Sequence, residues 1–338
     1  MQNCETILEP QVESVSETFY QIADRVISVQ TDSEPASRLA EAFLSGLHLS
    51  PLAHSNGPFH LRLTISTQAP PALPTEMHRF SVPGGVCYKN HSGYYLEIKG
   101  SRVSVGAKDS NKVEVWLADS RHARELITVM AYAVPAALRR IGLFDLHAAA
   151  LIEPNSRSCF VFPGTSQSGK TSMSIRLAAS GWHYLSDDVI VISKAQNSVE
   201  VRGLRRPFQS SADSLAGCEL PRLEDALGVT IPNDPEKRRL EPEVLFPGQF
   251  ASSARPVVLC FPLISGESES RLAEITRAGA MSRLIDMCPW ANYDKSSSRE
   301  HLRVLSELVR QCKTFTLHAG RDIFDNPRGA SVLLSRLI

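Results

Sequence analysis

Three absences narrow the possibilities for this chain of 338 residues. It has no net charge, because 36 Lys and Arg residues balance 36 Asp and Glu residues, so no basic excess predicts binding to nucleic acid or to an anionic membrane. It has no long apolar run: the longest nearly apolar stretch, 126–138, contains Pro135 and is too short to span a bilayer. It also has no internal repeat and no low-complexity segment. We therefore expect a globular protein without a nucleic-acid or membrane partner.

The sequence also lacks a C-x-x-C pair. Its seven cysteines are scattered and odd in number, which argues against a disulfide framework or a zinc site and favours a reducing compartment. The N-terminal stretch MQNCETILEPQVES is polar and acidic, unlike a signal peptide. With 43% hydrophobic and 21% charged residues, the composition is that of a folded chain. These features predict a soluble, cytoplasmic protein of one large or two ordinary domains.

Apolar residues alternate with polar ones over much of 59–118. Period-two alternation is typical of half-buried strands, and we expect a small, mainly antiparallel sheet here. The preceding stretch, 1–57, has a few helical segments, such as 37–47, and little that suggests chemistry. Together these patterns predict an α/β (α+β) protein with a smaller, mainly β N-terminal subdomain at 1–118.

The segment 120–142 has the features of a helix. Ser120 is a suitable N-cap and Gly142 a suitable C-terminal stop, while Pro135 is expected to kink the helix or divide it in two. Further along, the patterns predict an apolar strand at 257–264, helices at 277–287 and 299–312, a strand around 315–317 and a short C-terminal helix.

The strongest motif lies within 160–192. It matches G-x-x-x-x-G-K-[ST] with the residues Gly164, Thr165, Ser166, Gln167, Ser168, Gly169, Lys170 and Thr171. The glycines let backbone N–H groups surround a phosphate chain, Lys170 reaches the β and γ oxygens, and Thr171 offers a hydroxyl to Mg²⁺. A helix from Thr171 to about Ala179 follows, and its positive N-terminal end, with Ser172, faces the same anion. We expect this loop to bind a nucleoside triphosphate whose terminal phosphate is transferred.

Two adjacent carboxylates come after that helix. Asp187 and Asp188 directly precede an apolar strand at 189–192. Carboxylates beside a buried strand are costly unless a positive group lies near them, and Mg²⁺ together with Lys170 would provide that charge. An Asp-Asp pair in a solvated turn is the alternative, but a position 17 and 18 residues after Lys170 favours the catalytic interpretation.

His147 precedes the loop in the sequence. It lies in a predicted strand at 143–152 that forms a hairpin with 158–162, so it is expected one strand away from the phosphate site. A lone histidine is commonly a core residue with satisfied hydrogen bonds. Its position beside the loop also allows a role at the phosphate, and both interpretations stay open.

Basic residues follow the acidic pair. The segment 199–208 has the pattern of a strand and then a loop, and it contains several arginines, among them Arg202. Arginines near a phosphate site stabilise the charge of the transferring group, although a solvated edge explains them equally well. The polar stretch 211–239 predicts a mobile flap or substrate loop. Its basic cluster, 236–239, is either a phosphate contact or an aid to solubility.

Taken together, these features resemble the catalytic domain of HPr kinase/phosphorylase, which shares a fold with phosphoenolpyruvate carboxykinase. The matching motifs are LHAAALI with His147, GTSQSGKT, GWHYLSDD and EVRGL, and they fall within 143–208. An acidic pair so soon after the loop lysine is a much more specific signature than the loop motif alone. The resemblance implies a P-loop kinase core of this type at 119–338, similar to the stand-alone HPr-kinase-like proteins. It also implies ATP and Mg²⁺ as cofactors and makes a homo-oligomer a reasonable assembly.

The resemblance also implies roles for individual residues. The implied catalytic residues are Asp187, His147, Lys170 and Arg202, and the implied metal ligands are Thr171, Asp188 and Glu200. Asp187 would be the general base for the attacking serine hydroxyl, a usual part of phosphoryl transfer. His147 would lie near the γ-phosphate and orient Asp187, and Arg202 would face the active site.

One departure from the family limits what is carried over. After EVRGL the family's glycine-rich continuation is replaced by Arg205-Arg206-Pro207. The phosphorylase activity that the family associates with this signature is therefore not carried over to this chain. Since no segment matches the one that docks HPr, HPr itself is not the expected substrate.

Three functions stay open from the sequence. They are an ATP- and Mg²⁺-dependent kinase acting on a serine hydroxyl of a peptide or protein, a kinase of a small-molecule hydroxyl acceptor, and a non-catalytic nucleotide-binding module. Lys170, Thr171 and the acidic pair are all present, which favours the two kinases. A site that no longer catalysed a reaction would be free to lose some of these residues.

Overall fold

The computed structural model describes residues 16–47, 49–53, 57–82, 84–106, 110–118, 123–204, 207–211, 215, 218, 220–231, 234–326 and 328–338. The chain divides into two compact units, Met1–Phe43 with Ser50–Ala133 and Leu44–Leu49 with Val134–Ile338. Mixed sheets dominate the fold, which confirms the predicted mixed α/β class. Within the described ranges, every helix is too short or too polar to cross a bilayer.

The first unit is built on a nine-stranded sheet of order β3-β1-β2-β4-β9-β8-β7-β6-β5. Its strands are β1 (Ser16–Ile22), β2 (Arg25–Thr31), β3 (Ser50–Leu52), β4 (Leu61–Ser66), β5 (His78–Val82), β6 (Gly85–Asn90), β7 (Gly93–Ile98), β8 (Ser101–Gly106) and β9 (Lys112–Trp116), and helix α1 spans Glu34–Ser45. Strands β4, β7, β8 and β9 bury every second residue, as their alternation predicted. The pairs β2–β4 and β4–β9 are parallel and the other pairs are antiparallel, so the prediction of a mainly antiparallel sheet is confirmed.

Strands β1 to β3 extend this sheet into 1–57, where the sequence indicated only helical segments. Strands β1 and β2 form a hairpin whose turn is Ala23-Asp24, and Ala23 adopts a φ of 55°. Two-residue hairpin turns usually have Gly or Asn at such a position. The prediction missed this hairpin because its turn carries no glycine or asparagine.

Helix α2 (Ala123–Arg140) is continuous across Pro135. Of the two effects predicted for Pro135, the division into two helices is therefore wrong, while the kink stays a prediction. Residues on both sides of the proline, such as Ala133 and Leu138, are fully buried, and this burial stabilises the helix against the lost hydrogen bond. Gly142 follows the helix with a φ of 76°, as expected for a C-terminal stop. The predicted N-cap, Ser120, lies outside the described residues.

A second sheet, of order β18-β14-β13-β10-β11-β19-β21-β20 with β12 also paired to β10, forms the centre of the second unit. Its strands are β10 (Phe144–Ile152), β11 (Cys159–Pro163), β12 (His183–Ser186), β13 (Val189–Ala195), β14 (Ser198–Gly203), β18 (Ser253–Ala254), β19 (Pro256–Ile264), β20 (Arg271–Glu274) and β21 (Lys313–Ala319). The helices of this unit are α3 (Lys170–Ala179), α4 (Leu223–Ala226), α5 (Pro242–Leu245), α6 (Arg277–Asp286), α7 (Trp290–Tyr293), α8 (Lys295–Gln311), α9 (Asp322–Asp325) and α10 (Gly329–Leu334), followed by a 3₁₀ turn at Ser335–Leu337.

Two apolar layers cover this sheet. Helices α6 and α8 pack on one layer with Phe144, Leu146 and Ile190. Helix α3 packs on the other with Phe160 and Trp182. The adjacent strands β10, β11 and β19 are mostly buried because helices cover both faces of the sheet, and they carry the loops at its edge.

The stretch 211–239, predicted as a mobile flap or substrate loop, contains regular structure. Strands β16 (Leu227–Ile231) and β17 (Asp234–Leu240) form a small sheet with β15 (Phe208–Ser211), in the order β15-β17-β16. Phe208 and Leu240 are paired across the sheet and fully buried. Those two side chains anchor a sheet whose other residues are mostly polar, which is why the sequence resembled a mobile loop.

Candidate functional site

Strand β10 places the loop and the acidic pair on its two sides. On one edge its residues 148–152 pair with β11, which ends at Pro163 immediately before the glycine-rich loop. On the other edge β10 pairs first with β13 and then with β12. Asp187 and Asp188 fall in the break between those two strands. The sheet therefore holds the loop and the acidic pair close together, with His147 between them.

The backbone of the loop has the conformation that its glycines permit. Gly169 adopts a φ of 92°, in the left-handed region. A Cβ on Gly164 would collide with the hydroxyl of Ser168. Helix α3 begins directly after Gly169, so its first backbone N–H groups point toward the loop. The loop thus turns tightly in front of the N-terminal end of α3, an arrangement that can accommodate an anion.

Lys170 lies under this loop and is only 5% exposed. Its ammonium donates to the backbone oxygens of Gly164, at 2.8 Å, and Thr165, at 2.9 Å. It also lies 3.1 Å from Nε2 of His147. Burial lowers the pKa of Lys170, while the charges of the two nearby aspartates act in the opposite direction. The two backbone oxygens and the two aspartates together stabilise the charged form of Lys170, which burial alone would disfavour.

His147 joins the loop lysine to the acidic pair. Its Nδ1 lies 3.1 Å from Oδ1 of Asp188, and its backbone oxygen accepts from the N–H of Gly164. An ammonium can only donate, so Nε2 accepts from Lys170 and Nδ1 carries the proton directed at Asp188. His147 therefore lies beside the loop lysine and the acidic pair, and its role at a phosphate stays a prediction.

The two aspartates have different surroundings. Asp187 is fully buried and its Oδ2 accepts a hydrogen bond of 2.8 Å from the Thr171 hydroxyl. The Asp188 side chain is 22% exposed and pairs with His147. Adjacent carboxylates thus contact different partners, one on helix α3 and one on strand β10.

These residues line a cavity with a volume of about 680 Å³. Its lining consists of His147, Ser166, Gln167, Gly169, Lys170, Thr171, Ser172, Asp187, Asp188, Gln209, Ser211, Glu236, Lys237 and Ile264. Two lysines stand against three carboxylates in this lining, which leaves one net negative charge when His147 is neutral. A polyphosphate would therefore bind best together with a cation.

Among the described residues, no cluster of three or more His, Cys, Asp and Glu side chains is arranged to hold a metal ion. Magnesium in phosphotransfer sites is commonly held by one or two protein groups, with phosphate oxygens and waters completing the octahedron. The Thr171 hydroxyl and the neighbouring carboxylates supply hard oxygen ligands of that kind. The site fits Mg²⁺ bound together with a nucleotide.

Five predicted residues are absent from the lining of this cavity: Glu200 and Arg202, and the loop residues Gly164, Thr165 and Ser168, which line a second cavity of about 390 Å³. The guanidinium of Arg202 donates to Glu200 at 2.7 Å, and neither side chain is among the described residues of the lining. In the strand register, Arg202 is opposite Val191 and Glu200 is opposite Ser193. Both therefore lie several residues along β13 from the acidic pair, bonded to each other.

The prediction from the sequence did not include three residues of the cavity lining, Gln209, Ser211 and Ile264. Gln209 and Ser211 reach the cavity from the small sheet, and Ile264 does so from the end of β19. Lys237 belongs to the basic cluster for which a phosphate contact was one of two interpretations. No local pattern marks these residues, because their approach depends on strand pairings far apart in the sequence.

No protein-family model matches the sequence, and no curated protein is significantly similar to it.

Proposed function

We propose that the protein is an ATP- and Mg²⁺-dependent kinase that transfers the γ-phosphate to a hydroxyl group, with serine of a peptide or protein as the favoured acceptor. The observation that carries this proposal is the convergence of Lys170, His147 and Asp188 in one chain of contacts beside the glycine-rich loop. A loop alone supports only phosphate binding. A carboxylate aligned by a histidine beside that loop adds a group that can accept a proton.

Each group has a role that its position supports. The loop N–H groups and Lys170 bind the phosphate chain and neutralise its charge. The Thr171 hydroxyl and Asp187 would hold Mg²⁺, which when bound neutralises charge on the phosphate oxygens. His147 fixes the orientation of Asp188.

This division of roles differs from the one that the resemblance implied. Family resemblance assigned the base to Asp187 and the metal to Asp188. The geometry favours the reverse, because Asp187 is fully buried against Thr171 whereas Asp188 is partly exposed and paired with His147. A base has to reach the hydroxyl of an incoming acceptor, and Asp188 has the better access.

Labelled ATP with Mg²⁺ tests the proposal, in the presence and absence of serine-containing peptides and small hydroxyl compounds. Wild-type protein should transfer label to an acceptor or hydrolyse ATP slowly. Asp188→Asn should lower kcat by about 10²-fold or more, with ATP binding retained, since a base acts on the chemical step. Asp187→Asn should weaken Mg²⁺-dependent ATP binding. The matched control is Asp286→Asn, an exposed aspartate on α6 outside the cavity.

Three results would count against parts of this proposal. Nucleotide binding without transfer or hydrolysis, unchanged in both variants, would leave a nucleotide-binding module in place of a kinase. If Asp187→Asn instead loses turnover while keeping ATP affinity, the roles of the two aspartates return to those that the resemblance implied. Transfer to small hydroxyl compounds but to no peptide would replace the favoured acceptor with a metabolite.

A further inference from the structure

A second lysine, Lys237, reaches the cavity beside the glycine-rich loop from the small sheet. Lys237 lies on β17, where it is paired in register with Ser211 of β15, and both residues line the cavity. Lys237 is half-buried, whereas its neighbours Arg238 and Arg239 are exposed.

Arg238 and Arg239, the other basic residues of the cluster, make contacts with residues outside the cavity. The Arg238 guanidinium donates to the backbone oxygen of Gly228, and that of Arg239 donates to Glu241 at 2.6 Å. Both arginines are thus engaged by residues next to the small sheet or within it. Of the basic residues in 236–239, Lys237 lines the cavity of the loop lysine, beside Glu236, whereas Arg238 and Arg239 are not among the described residues of its lining.

Lys170 and Lys237 line the same cavity. Like charges that share a partly desolvated cavity repel each other. An anion bound to both ammonium groups would remove that repulsion.

We propose that Lys237 binds the terminal phosphate of the nucleotide together with Lys170, so that the small sheet β15-β17-β16 distinguishes a triphosphate from a diphosphate. This inference rests on the proposed function. Lysine at the position of Lys170 reaches the β and γ oxygens, and Lys237 lines the same cavity. Charge on the oxygens of the transferring group is what cations in such sites stabilise.

The test compares the affinities of ATP and ADP for the full chain. Dissociation constants for a non-hydrolysable ATP analogue and for ADP are measured with Mg²⁺ by calorimetry, in the wild type and in Lys237→Gln. We expect Lys237→Gln to weaken binding of the ATP analogue by about 10-fold or more, the effect of one charge-assisted hydrogen bond, with ADP affinity unchanged. Lys237→Arg should retain most of the preference for the triphosphate. Arg239→Gln, on the same strand but outside the cavity, is the matched control and should bind both nucleotides as the wild type does.

Two outcomes overturn the inference while leaving the proposed function standing: an equal loss of affinity for both nucleotides, or no loss for either. Wild-type protein that binds neither nucleotide would overturn the inference and the proposed function together.

Discussion

His301 provides a quantitative prediction of how stability depends on pH. It lies on α8, is 1% exposed, and stacks on Phe144 with ring centroids 4.6 Å apart. Neither ring nitrogen has a hydrogen-bond partner among the described residues. Burial lowers the pKa of His301 from 6.5 to about 4; Arg139 also lowers it, while Asp145 and Asp294 oppose the change. The folded protein therefore favours the neutral imidazole.

The sign of the effect follows from this direction. Between about pH 4 and 6.5 the unfolded chain binds a proton at His301 that the folded chain does not bind. The stability that this residue contributes is fully present above pH 6.5 and is lost as the pH falls toward 4. The pKa difference of His301 between the unfolded and the folded chain corresponds to about 3 kcal/mol of unfolding free energy. About 2 kcal/mol of this is lost by pH 5.

The measurement is urea unfolding of the wild type and of His301→Phe at pH 7.5 and at pH 5. Phenylalanine keeps an aromatic ring against Phe144 and cannot take up a proton. On going to pH 5, the wild type should lose about 2 kcal/mol more unfolding free energy than the variant, because only its ring has to be protonated on unfolding. Equal losses in the two proteins, within about 0.5 kcal/mol, would refute the reasoning, since titration of other groups is common to both.

Three further predictions follow from individual contacts. Gly169→Ala should weaken ATP binding by about 10-fold, because alanine disfavours the left-handed backbone at a φ of 92° by about 1–2 kcal/mol; titration with an ATP analogue checks this, and unchanged affinity would contradict it. Asp294→Asn should cost about 3 kcal/mol of unfolding free energy, because Asp294 is fully buried and accepts two hydrogen bonds from Arg140; a urea midpoint equal to that of the wild type would argue against this. Glu200→Gln should change kcat by less than about threefold, because Glu200 bonds Arg202 outside the cavity lining, and a loss of about 10-fold or more would return Glu200 to the metal site.

The sequence predicted well those elements whose signal is local. The strand before the loop, the helix after it and the strand that follows the acidic pair were all expected and are β11, α3 and β13. The loop was recognisable because Gly169 has a left-handed backbone that favours glycine and a Cβ at Gly164 would collide with the Ser168 side chain. Strands with regular alternation, such as β8, were recognisable because one face of each is buried.

Elements without a local signal escaped prediction. The β1–β2 hairpin turns through Ala23, which takes a positive φ that favours glycine or asparagine. The small sheet is anchored by Phe208 and Leu240, two apolar residues far apart in the chain. The continuity of α2 across Pro135 depends on the burial of its side chains. The helix propensities of individual residues carry no information about burial.

The sequence by itself determined the loop, its lysine and the adjacent acidic pair, because phosphate-binding geometry demands particular residues at short spacings. Tertiary structure alone decided which partner each aspartate has, that His147 links Lys170 to Asp188, and that Lys237 reaches the cavity while Arg202 does not. The physical reason is that strand pairing sets these neighbours: β10 pairs with β11, β12 and β13 at once, and the register of those pairs is a property of the whole sheet.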